Sequence, residues 1–116
     1  MPVDADPHPA YLAAIQTAYE VLDDHFDELY ELCTSFDQKQ SLRSLHAAAR
    51  DTYWRAVAVD LKDSSPVVRE IFSELTQANQ DLRQLIANLQ NISAFIALFT
   101  QAVRLAASLV TLATVA

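Results

Sequence analysis

A chain of 116 residues holds one domain, and 52% of it is hydrophobic, enough for a real core. It contains no glycine, which rules out phosphate-cradling Gly loops, the dinucleotide fingerprint, the nucleophile elbow and hairpin turns that need positive φ. A net charge of −7 makes nucleic acid a poor partner, because phosphate recognition needs clusters of Lys and Arg.

The composition therefore points to an all-α fold, a single helical domain over residues 1–116. Charge is unevenly spread: residues 1–38 hold nine acidic side chains and no Lys or Arg, and residues 39–62 hold five basic and two acidic ones. The lone cysteine, Cys33, cannot form an internal disulfide. The first residues, Met-Pro-Val-Asp-Ala-Asp, lack the basic and apolar regions of a secretory signal, so a cytoplasmic setting is expected.

Asp6 can cap a helix with Pro7 at its first position, and a first helix is expected at about 9–34. Its seam is Leu12, Ile15, Tyr19, Leu22, Phe26, Leu29, Cys33 and Phe36, in unbroken 3-4 spacing. Cys33 on that seam reads as a small buried hydrophobe. Asp37 followed by Gln40 resembles a capping box that would open a second helix, 38–62, with Lys62 suited to its negative end. Asp63-Ser64-Ser65-Pro66 is the clearest boundary: Ser65 is a good N-cap and Pro66 a good first helical residue.

From Val68 to Ala116 neither Pro nor Gly occurs, and apolar positions repeat in 3-4 alternation from Val68 through Ile92 to Ala113. Two readings follow. One is a continuous C-terminal helix of about 50 residues in a three-helix fold, since the phase is unbroken. The other places a turn near Gln90-Asn91, where two Asn, a Gln and a Ser cluster, and gives helices at 66–90 and 92–115. The second yields four helices of about 25 residues, the matched lengths of an antiparallel up-and-down bundle, and is preferred.

Residues 92–116 are apolar all round and carry one charge, Arg104. Such a helix must be buried by something. The leading expectation is a homo-oligomer, dimer or tetramer, with Phe95, Leu98, Ala102, Leu105, Leu109 and Leu112 at the interface and Arg104 reaching an acidic residue of helix 1 or of a mate. A rival is insertion of 92–116 into a membrane, opposed by the mid-span Arg104 and the absence of a flanking basic cluster. A third reading is a bundle enclosing an apolar small molecule.

Glu20, Asp24, Asp27 and Glu31 form an acidic stripe on helix 1 that a protein partner could dock against. Lys39, Arg43, His46 and Arg50 repeat the spacing on helix 2, so an antiparallel hairpin would set 31 level with 39, 27 with 43, 24 with 46 and 20 with 50. The acidic stripe, however, falls on the outer side of the seam rather than beside it, which argues against a zipper within one chain. Tyr53-Trp54 puts one ring in the core and one at its edge; an exposed Trp54 beside Arg50 and Arg55 would instead mark a protein contact.

No cofactor or metal is expected. Di-iron bundles need Glu-x-x-His motifs, which the chain lacks. Cys33 and His25 lie eight residues apart, too far for a dyad, and no base is set beside a nucleophile. Asn91-Ile92-Ser93 matches a glycosylation sequon that means nothing without secretion. The sequence thus reads as a non-enzymatic interaction or assembly module.

Overall fold

The computed structural model describes residues 8–114, and the described residues are all-α. The proposed Asp6–Pro7 cap lies outside them. Five helices follow one another: α1 (His8–Asp23), α2 (Phe26–Leu32), α3 (Phe36–Ala58), α4 (Pro66–Ala87) and α5 (Ile92–Ala113).

The expected first helix is two. The break falls at Asp24-His25, with neither Pro nor Gly to mark it. The amide of His25 donates to Leu22 (3.2 Å), one residue short of the helical acceptor, Val21. The His25 ring takes over that acceptor, its Nδ1 lying 3.0 Å from the Val21 carbonyl oxygen. A side chain thus caps the end of α1, and α2 starts from the His25 carbonyl, which accepts from the Leu29 amide. The expected count of four helices of about 25 residues fails on this local substitution.

Other boundaries shift for equally local reasons. Helix α3 is capped by Ser35, not Asp37: the Gln38 amide donates to Ser35 Oγ (3.1 Å), and Gln38 Oε1 accepts from the Thr34 amide and hydroxyl. Phe36, expected in the seam, is the first residue of α3 and 72% exposed. The same helix ends at Ala58, so Lys62 lies beyond it and pairs with Asp60. Pro66 opens α4 as expected, but the Ser65 hydroxyl makes no cap; the Ser65 amide is instead held by Asp63 Oδ1 (2.8 Å). Asn91 caps α5, accepting from the amides of Ser93 and Ala94. A turn therefore separates α4 from α5, and the continuous 50-residue helix does not form.

Consecutive long helices alternate in direction, yet the neighbours are not those of a sequential up-and-down ring. Helix α1 packs on α3, α4 and α5, while α3 and α4 sit at opposite corners. Tyr11 meets Phe72, and Asn79 Nδ2 donates to the Ala14 carbonyl (3.0 Å), so α1 and α4 run parallel. Gln38 donates to Ser93 at one end, and Val59 shares a cleft with Val110 and Thr114 at the other, so α3 and α5 are parallel too. The molecule is two hairpins laid side by side in the same orientation.

The α3–α4 connection must then cross the end of the bundle. Leu61 lies fully buried there, and its amide donates to His8 Nδ1 (3.0 Å). The amides of Lys62 and Asp63 both donate to the Ala113 carbonyl at 2.9 and 3.0 Å, satisfying the end of α5. Leu61 and Thr114 form an isolated antiparallel bridge. The strap ties the starts of α1 and α4 to the ends of α3 and α5.

The cross-section is a rhombus whose short diagonal joins α1 and α5. This position sets the inward side of α5 against three helices. Ile92, Phe95, Phe99, Ala102, Ala106, Leu109, Val110 and Ala113 are buried within the chain. Phe95 stacks on Phe99 at 5.8 Å, and both are completely enclosed.

Candidate functional site

Three regions contain the residues singled out in the sequence. On α5, Phe95, Ala102 and Leu109 belong to the core and are not available to a second molecule. Leu98 and Leu105 are half-buried at the flank, and Leu112 is 46% exposed. The outward side of α5 presents Ala94, Ala97, Gln101, Arg104 and Ser108, which are small or polar. Arg104 makes no ion pair among the described residues, so its expected acidic partner on helix 1 is absent. Phe95, Ala102 and Leu109 are thus corrected from interface to core, while Leu98, Leu105 and Leu112 stay on the accessible flank.

The acidic stripe is exposed at all four positions, Glu20, Asp24, Asp27 and Glu31. At the α1 break, Glu20 and Asp24 line a cleft of about 360 Å³ with His25 and with Arg83 of α4. None of the four forms an ion pair with α3. No group of three or more His, Cys, Asp or Glu side chains among the described residues could hold a metal ion. Cys33 is buried and donates to the Leu29 carbonyl. Burial pushes its thiol pKa up, against a smaller opposing effect of Lys39, which makes it a poor nucleophile at neutral pH.

The third region is the seam between α1/α2 and α3, where the structure assembles something the periodicity did not show. Six rings form a continuous ladder. Trp54 touches Tyr53 (5.4 Å), which stacks on Tyr19 (5.8 Å, 13°). Tyr19 stacks on His46 (5.9 Å), His46 meets Phe26 (4.7 Å), and Phe26 stacks on Tyr30 (5.7 Å). Lys39 and Arg43 close the far end, lying 5.3 and 5.2 Å from the Tyr30 centroid, and Arg43 also donates to the Tyr30 hydroxyl.

Asp23 is the acidic residue that engages this ladder. One of its oxygens lies 2.9 Å from His46 Nε2. Burial pushes the Tyr19 phenol pKa up, and the Asp23 charge and its hydrogen bond add to the shift. The sequence reading set Asp24 level with His46; the structure puts Asp23 there, because Asp24 sits in the turn and looks toward α4.

Aromatic rings at i, i+3/i+4 and i+7 on facing helices stack this way because the antiparallel hairpin brings Tyr19 level with both His46 and Tyr53. The signal lies in the sequence as Tyr19, Phe26, Tyr30, His46 and Tyr53, but the apolar period accounts for Tyr19 and Phe26 as seam, His46 falls in the basic stripe, and nothing in the spacing links Tyr30 to them. These rings are half-buried, not enclosed. Trp54 is the outlier at 60% exposed, flanked by exposed Arg50 and Arg55, with Val57 exposed one turn on.

No protein-family model matches the chain, and no curated protein or solved structure matches it.

Proposed function

We propose that the chain is a non-enzymatic interaction module that docks a protein through the outer face of its α1/α2–α3 hairpin. The observation that supports this reading is Trp54, a large ring left 60% exposed at the end of an aromatic ladder and bordered by arginines. Trp and Arg are the residue types that anchor protein interfaces, and a rigid ring costs little entropy to fix on binding. The neighbouring acidic stripe supplies polar surface of the opposite sign through Glu20, Asp27 and Glu31, with Asp24 turned toward α4.

A photo-crosslinking amino acid placed at Trp54, and separately at exposed Glu74 on α4, tests the reading in cells. Protein adducts should form from position 54 and not from position 74. Equal yields, or none from position 54, would overturn it.

The membrane reading rests on one observation: α5 is the described helix long and apolar enough to span a bilayer, with a mean hydropathy of 1.7. Entering lipid would require α5 to leave α1, α3 and α4 and strip Phe95 and Phe99 from the core. The same property is accounted for by its central place in the bundle.

A further inference from the structure

We infer that the partner on this face is a second copy of the chain, docked about a twofold axis parallel to the hairpin. The inference rests on the docking face just proposed and names its occupant. The charges are largely divided by helix: exposed Asp27, Glu31 and Glu20, the last also bordering the α4 cleft, lie on α1/α2, and exposed Arg43 and Arg50 lie on α3, which also carries Asp51 beside Arg50. Within one chain these charges do not meet; the ion pairs among the described residues are His46–Asp23 and Lys62–Asp60. The face is thus a pair of unpaired rails of opposite sign.

A partner must present the same rails in reverse order at the same spacing. A copy turned about an axis parallel to the helices does so by symmetry, because α1 of each copy then lies over α3 of the other. A twofold axis across the helices would set acid on acid and is disfavoured. The levels are fixed by contacts in the structure: Asp23 is level with His46, Tyr19 with Tyr53, and Tyr30 with Arg43. Rotation about the parallel axis preserves level, so Glu20 of one copy meets Arg50 of the other, and Asp27 meets Arg43. The zipper that the phase forbids inside the chain forms between chains. Trp54 then lands near the level of Gln16 on the mate, and the two copies of the ring flank the twofold axis at the same end of the interface. The 23-residue α3 is ~35 Å long, and two helices side by side are ~20 Å wide. That is a footprint of about 700 Å² per copy, close to the ~800 Å² of a stable complex.

The test uses the full chain, with sedimentation velocity at low ionic strength. The wild type should be a dimer that dissociates as salt rises. E20R/D27R and R43E/R50E should each be monomeric, with self-association weakened at least tenfold, because each sets like charges against one another at the two levels where the copies meet. Mixed in equal amounts, the two variants should form a 1:1 heterodimer, since the reversed acid rail of one now matches the reversed basic rail of the other. The single variants E20R and R50E repeat the exchange without touching the Arg43–Tyr30 contact, and far-UV circular dichroism confirms folding. A monomeric wild type, variants that dimerise as well as wild type, or variants that fail to recover on mixing would overturn the inference. If the wild type is monomeric while position 54 still crosslinks to another protein, the docking face stands and the second copy does not.

Discussion

The two hairpins contain similar lengths of helix and do opposite work. In α4–α5 most large apolar side chains are buried or half-buried, Val67 and Leu112 being exposed, and α5 carries one charge in 22 residues. In α1/α2–α3 the apolar pattern is interrupted, and the hairpin's outer surface carries segregated charge and an exposed Trp. The difference teaches that strong apolarity goes with a central place in the bundle. Helix α5 has three helical neighbours, whereas the weaker apolar pattern of α3 leaves Arg43, Arg50 and Trp54 exposed.

The contrast is most sharply broken by truncating α5. Phe99→Ala should lower the unfolding free energy by ~3–5 kcal/mol, as expected for emptying a fully enclosed aromatic site. Urea denaturation followed by circular dichroism measures it. A loss below ~1 kcal/mol would mean that α5 is not the centre of the fold.

A smaller effect is expected at the break in the first hairpin. His25→Ala removes the ring contact to the Val21 carbonyl and should cost ~1 kcal/mol. Amide exchange should accelerate locally, from Asp24 to Leu29, while α5 amides keep their protection. Uniform acceleration would show that the break is not a separate unit of stability.

Alkaline pH sharpens the comparison from the side of the tyrosines. Burial raises the pKa of the Tyr11 phenol, opposed by Arg69 and reinforced by Asp63; it raises that of Tyr19 as well. The unfolded chain therefore deprotonates first. The stability these groups contribute is intact below their unfolded pKa of about 10 and is lost as pH rises through the folded values. The Tyr11 hydroxyl is also buried without a hydrogen-bond partner among the described residues. Tyr11→Phe should raise stability at pH 7 by up to ~1 kcal/mol and reduce the alkaline loss, as read from denaturation midpoints at pH 7 and above pH 10.

The smallest effect on stability belongs to the residue with the largest expected effect on docking. Trp54→Ala should change the unfolding free energy by no more than ~0.5 kcal/mol, since the ring is mostly in solvent. The same substitution should abolish concentration-dependent association in sedimentation. A large loss of stability would reassign Trp54 to the core.

Particular residues show why part of the candidate site was legible and part was not. The exposure of Glu20, Asp24, Asp27 and Glu31 followed from their angle to the seam, because helical period fixes which side chains share a side. The ladder from Trp54 to Tyr30 was not legible, because stacking depends on the level at which two helices meet. Period alone does not set that level. The assignment of Phe95, Ala102 and Leu109 to an interface failed because a helix's sequence does not count its neighbours.

The sequence by itself determined that the chain is helical, that Pro66 opens one helix, and that Asn91 can separate two others. These are consequences of missing glycine, periodic apolar spacing and cap chemistry, all of which act over a few residues. Tertiary structure alone decided that α1 runs parallel to α4 and α3 to α5 and that the strap around Leu61 crosses the end of the bundle, while the His25 ring that ends α1 acts locally but is not marked by period or composition. Those outcomes depend on contacts between residues more than 50 positions apart, or on a side chain displacing a backbone donor by its geometry. The apolar C-terminal stretch is explained by the first kind of information and given its place by the second: its period makes it a helix, and three packed neighbours make it the core.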